Sequence, residues 1–104
     1  MKWKVVARPQ AQIDVIEAAN WYDTHRAGLG DEFIEEILAV FDSLETSPLL
    51  YCRRHPTKSI RWRYPKRVPY RIIYEVIEAE KLVIIAAVLL AGLFFVRGRG
   101  RSRA

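Results

Sequence analysis

Arginine is the residue type in this chain with chemistry to spare. Residues 53 to 71 hold eight Lys or Arg and no acid: Arg53, Arg54, Lys58, Arg61, Arg63, Lys66, Arg67 and Arg71. A guanidinium grips phosphate or carboxylate with two parallel hydrogen bonds, and so many like charges repel one another without a partner. Arg61, Arg63, Arg67, Arg71 and Lys58 are therefore the candidate contacts to a target or a phosphate. His55 stands among them, where neighbouring cations favour the neutral imidazole that general-base work needs. The bland reading makes it an exposed loop histidine. If the protein is an enzyme, it works with arginines, lysines and a tyrosine or histidine; whether it is one stays open.

No other constellation competes. There is no phosphate loop, no GxSxG, no HExxH and no Ser/His/Asp set. Cys52 is the single cysteine, which leaves no internal disulfide and no cysteine metal site, and points to a reducing cytosol. Neither a metal nor a cofactor is expected. The N-terminus MKWKVVARPQAQ lacks an apolar stretch of signal-peptide length, so a cytoplasmic location is expected. The net charge is +5 and is unevenly spread. Residues 11 to 47 hold nine acids against Arg26 alone, so the chain is acidic early and basic in its middle.

The arginines sit on the stretch Ile60 to Ile77, IRWRYPKRVPYRIIYEVI, which reads as two strands joined across Pro65 to Pro69. Alternation places Ile60, Trp62 and Tyr64 on one face of the first strand and Arg61 and Arg63 on the other. In the second strand Tyr70, Ile72, Tyr74 and Val76 oppose Arg71, Ile73, Glu75 and Ile77. The expected hairpin turns its aromatic face to the core and gathers Arg61, Arg63 and Arg71 outside. Base stacking by the aromatics is the rival to that core placement.

Before the hairpin, Lys2 to Ala7 reads as a short strand. Pro9 suits a first helical position, and Ala11, Val15, Ala18 and Tyr22 carry a helix to about Tyr22 or Thr24, with Gly28 as its stop. A second helix follows, with Asp31 and Glu32 in its first turn and a stripe of Phe33, Ile34, Ile37, Leu38, Phe41 and Leu44, ending at Ser47-Pro48. After the hairpin, Glu78 to Lys81 is a turn. Leu82 to Leu90 is apolar throughout, as for a central strand covered on both faces. The fold class is α+β, with the helical hairpin on one face of an antiparallel sheet. Residues 1–90 form the domain and 91–104 a divergent tail, apolar and then rich in Arg and Gly. As a helix, Leu82 to Val96 would span only about 22 Å of a roughly 30 Å hydrocarbon layer, so no membrane partner is favoured.

These residues resemble the RelE/ParE superfamily of toxins from type II toxin–antitoxin systems, the ParE-like branch most closely. The resemblance runs from about Val5 to Val88. It rests on Ala11 and Asp14, Trp21-Tyr22, Gly28-Leu29-Gly30 with Glu32-Phe33, Ser47-Pro48, and Arg61. Its most specific piece is Arg67-Val68-Pro69-Tyr70-Arg71-Ile72-Ile73-Tyr74. The resemblance implies a growth-inhibiting toxin of the plasmid-stabilization kind, with a cognate antitoxin that wraps the domain. It implies as target either DNA gyrase, as for ParE-like members, or ribosome-bound mRNA, as for RelE-like endoribonucleases. On the nuclease reading Arg61, Arg71 and His55 would be catalytic, with Arg71 matching a phosphate-contacting strand arginine. The ending departs from the family pattern: Leu89 to Val96 has no charge and no tyrosine. A RelE-like nuclease would lack its C-terminal arginine and tyrosine unless Arg97 or Arg99 folds back. Gyrase-like inhibition is therefore favoured over the nuclease, and a non-toxic or decayed nucleic-acid-binding module is the third reading.

Overall fold

A computed structural model describes residues 2–50 and 53–90 of the chain. Cys52 and the tail at 91–104 lie outside them, as do Arg97 and Arg99. The element order is β1 (Lys4–Ala7), α1 (Pro9–His25), α2 (Leu29–Leu44), β2 (Ile60–Arg63), β3 (Tyr70–Ile77) and β4 (Leu82–Leu90). Among the described residues no helix is long and apolar enough to cross a membrane.

The helical hairpin forms for local reasons. Pro9 opens α1, where its missing N–H costs nothing. The helix runs one residue beyond the expected end, to His25, whose Nδ1 lies 3.0 Å from the Trp21 carbonyl oxygen. Gly28 does not stop α1. It starts α2 instead, at φ 94°, a left-handed conformation that side chains resist. Gly30 then lets the helices close. Its N–H donates to Asp23 Oδ1 at 2.7 Å, and a Cβ there would lie 2.6 Å from the Ala19 carbonyl oxygen. Asp23 on α1 thus satisfies one of the orphan donors at the start of α2.

The sheet order is β1-β4-β3-β2. The last three strands are antiparallel, as expected, and β1 joins them in parallel against β4, with Lys4 opposite Leu82 and Ala7 opposite Ile85. The sheet is therefore mixed. Both helices pack on one face, where Ala11, Phe33, Ile37, Leu44, Ile72, Tyr74, Val83 and Ile85 are essentially fully buried. Each such large side chain contributes roughly 1.5–3 kcal/mol. In β4 the register shifts by one residue, so that Ile73 faces Ala87 while Tyr74 faces Ile85. This bulge moves the buried positions from Val83 and Ile85 to Val88. Among the described residues the other face of β4 is less covered than its composition suggested: Leu82, Ile84 and Ala87 are half-buried and Leu89 is exposed.

The β2–β3 pairing overturns the expected facing of the hairpin. Arg61 lies opposite Tyr74, Trp62 opposite Ile73 and Arg63 opposite Ile72. Directly opposed residues share a face, so Arg61 and Arg63 project to the helix side and Trp62 to the outer side. Alternation within each strand was right. The phase between the strands was wrong by one residue, and a one-residue slip exchanges every side chain between faces.

Candidate functional site

Arg63 is the clearest consequence of that register. It is only 6% exposed. Its guanidinium donates to Ser43 Oγ and to the Ser47 carbonyl, both at 2.7 Å. These groups lie at the end of α2, where backbone carbonyls lack helical partners and a cation is favoured. Nearby, the Tyr74 hydroxyl donates to the Pro48 carbonyl at 3.0 Å. Arg63 therefore fastens the α2 exit to the sheet and presents little surface to a partner.

The remaining sequence candidates do not converge. Arg61, half-buried on the helix side, donates to Ser59 Oγ. Arg67 is tied to α2 twice: its N–H donates to Glu36 Oε1 at 3.3 Å, and its Nη1 lies 3.8 Å from Glu36 Oε2. Lys58 is exposed in the loop before β2. In the same loop His55 Nδ1 accepts the N–H groups of Thr57 at 3.2 Å and Lys58 at 3.0 Å. With Nδ1 so occupied, the neutral ring carries its proton on Nε2, which makes that nitrogen a donor rather than a base.

Arg71 is the candidate that remains on the outer face, and it has company that the sequence did not assign. Its guanidinium carbon lies 3.9 Å from the Trp62 ring centroid and 6.0 Å from that of Tyr64. Arg54 approaches the same indole at 5.2 Å. The Arg54 N–H donates to the Ile60 carbonyl at 2.7 Å, which pins this loop residue against the edge of β2. Arg54 lies in an irregular segment where no periodicity fixes a direction. Trp62 and Tyr64 were misplaced by the same phase error that misplaced Arg63. The expected core aromatics were half right: Tyr70 and Tyr74 are buried, while Tyr64 is 50% exposed.

Two further surfaces complete the molecule. Where the helices diverge, a groove of about 220 Å³ is lined by Val15, Ile16, Ile34, Leu38 and Phe41. Ile16 and Leu38 are 58% and 50% exposed there. Between α1 and the far end of β4, Asp14, Glu17, Trp21, Tyr70 and Leu90 line a cleft of about 360 Å³. Asp14 Oδ2 accepts the Val88 N–H at 3.0 Å, closing a β4 amide that β1 is too short to reach. Tyr22, Phe33 and Tyr70 form an aromatic cluster behind this cleft, with ring centroids 4.9 to 6.4 Å apart. Burial raises the Tyr22 and Tyr70 phenols above their ordinary value, and for Tyr70 the charge of an ionised Tyr22 adds to the effect.

Comparison with known proteins bears on the whole of this architecture. The family described as the ParE toxin of the type II toxin–antitoxin system parDE matches residues 5–91. No curated protein sequence matches the chain. Among solved structures, the chain is similar to one from the chromosomal ParDE toxin–antitoxin system of P. aeruginosa. That likeness has a TM-score of 0.71 at 13% identity, covering 84% of this chain and 94% of the other. It is also similar to a chain of the toxin–antitoxin complex RelBE2 of Mycobacterium tuberculosis. Here the TM-score is 0.56 at 18% identity, over 85% of this chain and 90% of the other. At these identities the likenesses concern the fold.

Proposed function

The chain belongs to the ParE toxin family of type II toxin–antitoxin systems, and from that premise we propose that it arrests growth by binding DNA gyrase. We propose also that a cognate antitoxin holds it inactive until released. The observation that carries the reading is the family match, which spans residues 5–91 and so takes in every described helix and strand from Val5 onward.

Two features of the surface support it. Inhibition by binding needs a contact face rather than a proton-transfer centre, and the basic residues here are dispersed. Arg63 is buried, Arg67 is engaged by Glu36, and His55 Nδ1 is occupied within its own loop. Of the sequence candidates, Lys58, Arg71 and Arg67, whose side chain stays 72% exposed beside Glu36, are those left as target contacts. An antitoxin is supported by the apolar groove along the helices, where Ile16 and Leu38 stand half-exposed; covering such surface is a common source of binding energy.

The experiment is induction in a bacterial host, with and without the neighbouring antitoxin gene. Growth arrest with filamentation and DNA damage, relieved by the antitoxin, is the expected result. Arrest with cleaved mRNA and intact DNA would replace gyrase with the ribosome as target. Normal growth with folded protein present would remove the toxin activity altogether.

A further inference from the structure

The sheet face away from the helices is apolar along most of its width. Trp62, Ile73 and Ala87 lie side by side across β2, β3 and β4. The neighbouring row crosses all four strands as Val6, Ile84, Glu75 and Ile60. At the exit of β4, Leu89 stands opposite Arg71. Val6 and Leu89 are exposed, while Trp62, Ile73, Ile84 and Ala87 are half-buried. Among the described residues nothing covers this face, and apolar surface of such extent marks a docking site.

One charge interrupts the apolar field. Glu75 is half-buried between Ile84 and Ile60, and among the described residues it has no ion-pair partner. A carboxylate partly withdrawn from water and flanked by isoleucines is stabilised by a cation. Arg71 does not supply it, being four residues along β3, about 13 Å away at strand spacing.

The chain itself carries a segment with the complementary pattern. β4 leads into Ala91-Gly92-Leu93-Phe94-Phe95-Val96-Arg97: two small residues, four large apolar ones, then a cation. The spacing agrees as well. Leu89 pairs with Arg71 and Ile84 with Glu75, so those two rows lie about 13 Å apart, and Leu93 to Arg97 spans about 13 Å when extended. A segment that turns at Ala91-Gly92 and runs back over the sheet sets Leu93 over Leu89, Phe95 over Ala87 and Arg97 over Glu75. Alternation points these three side chains the same way, and the small side chain of Ala87 leaves room for a ring between Leu89 and Ile84.

We propose that residues 93–97 fold back across the helix-free face of the sheet, with Phe95 packed on Ile73, Ile84 and Ala87 and Arg97 paired with Glu75. The occupant is this chain, because a segment tethered two residues from β4 has an effective concentration that a free partner does not reach. Its seat over Leu89 borders Arg71, so a partner that approaches Arg71 meets the segment as well. The inference does not rest on the gyrase reading, since it requires neither gyrase nor growth arrest.

The test is NMR of the full chain with labelled isoleucine methyl groups. The Phe95 ring should give nuclear Overhauser contacts to the Ile73 and Ile84 methyls. Phe95→Ala should abolish them, whereas Phe94→Ala, on the outward side, should leave them in place. Glu75→Gln and Arg97→Gln should each lower the urea midpoint, and the double variant should lower it no further than either alone. None of these side chains belongs to the buried core under the helices, so the variants keep the fold. Absence of the methyl contacts in the folded chain would overturn the proposal, as would additive losses from Glu75→Gln and Arg97→Gln. Contacts found only between differently labelled copies would assign the face to a second copy. Binding of the chain to phosphatidylglycerol vesicles, with no methyl contacts in solution, would assign the segment to a lipid surface. Either result would also overturn it.

Discussion

The guanidinium carbon of Arg71 lies over the indole of Trp62, 3.9 Å from its centroid, on the sheet face away from the helices. The contact exists because Trp62 pairs with Ile73, the residue two positions from Arg71, which makes Arg71 its diagonal neighbour. It orders the basic surface without a carboxylate. A double-mutant cycle between Trp62→Leu and Arg71→Leu should return a coupling of about 1 kcal/mol. The check is urea denaturation of the four proteins, and strict additivity would mean that the two side chains do not support each other.

Arg63 should matter to stability rather than to activity. Arg63→Leu leaves the Ser47 carbonyl and the Ser43 hydroxyl without their charged donor. The expected loss is about 3 kcal/mol, since hydrogen bonds to charged groups contribute roughly 1.5–3 kcal/mol each and leave costly orphans. Chemical denaturation measures it. A loss near zero would mean that the end of α2 is held by something else.

Gly30 should tolerate no side chain. In Gly30→Ala the new Cβ would meet the Ala19 carbonyl oxygen at 2.6 Å, so the helices must separate, at about 1–3 kcal/mol for a well-packed site. Gly28→Ala should also destabilise, for a different reason: its φ of 94° strains any side chain although no atom stands in the way. The thermal midpoints of both variants, compared with wild type, provide the check.

Alkaline pH should weaken the fold through Tyr22 and Tyr70. Burial raises both phenols above 10.0 in the folded chain, while in the unfolded chain they ionise at the ordinary value. The folded state therefore keeps protons that the unfolded state loses. Stability is full below 10.0 and falls as pH climbs from there through the raised values. Denaturant midpoints followed from neutral into alkaline solution should show this fall, and Tyr70→Phe should flatten it.

Element order and helix faces were legible in the sequence because they depend on local signals. Pro9, the stripe of Phe33, Ile37 and Leu44, and the apolar run to Leu90 each declare themselves within a few residues. The sheet faces were not legible. The residue that lies opposite Trp62 depends on how a link of several residues closes, and nothing in IRWRYPKRVPYRIIYEVI fixes that to within one position. The parallel pairing of β1 with β4 is likewise a long-range outcome. Arg63 illustrates the result: an arginine read as a surface contact is spent on the end of α2. Arg54, read only as part of a basic segment, reaches the indole because its backbone is pinned to Ile60.

Inhibition of gyrase by this ParE-family chain, proposed above, can be read on the purified enzyme. The most direct measurement is the supercoiling of relaxed plasmid by purified bacterial gyrase as the purified chain is added. The expected result is that supercoiling stops, that cleaved DNA accumulates, and that an equimolar amount of the cognate antitoxin restores activity. Undiminished supercoiling at stoichiometric excess, by protein that still arrests growth in the cell, would contradict it.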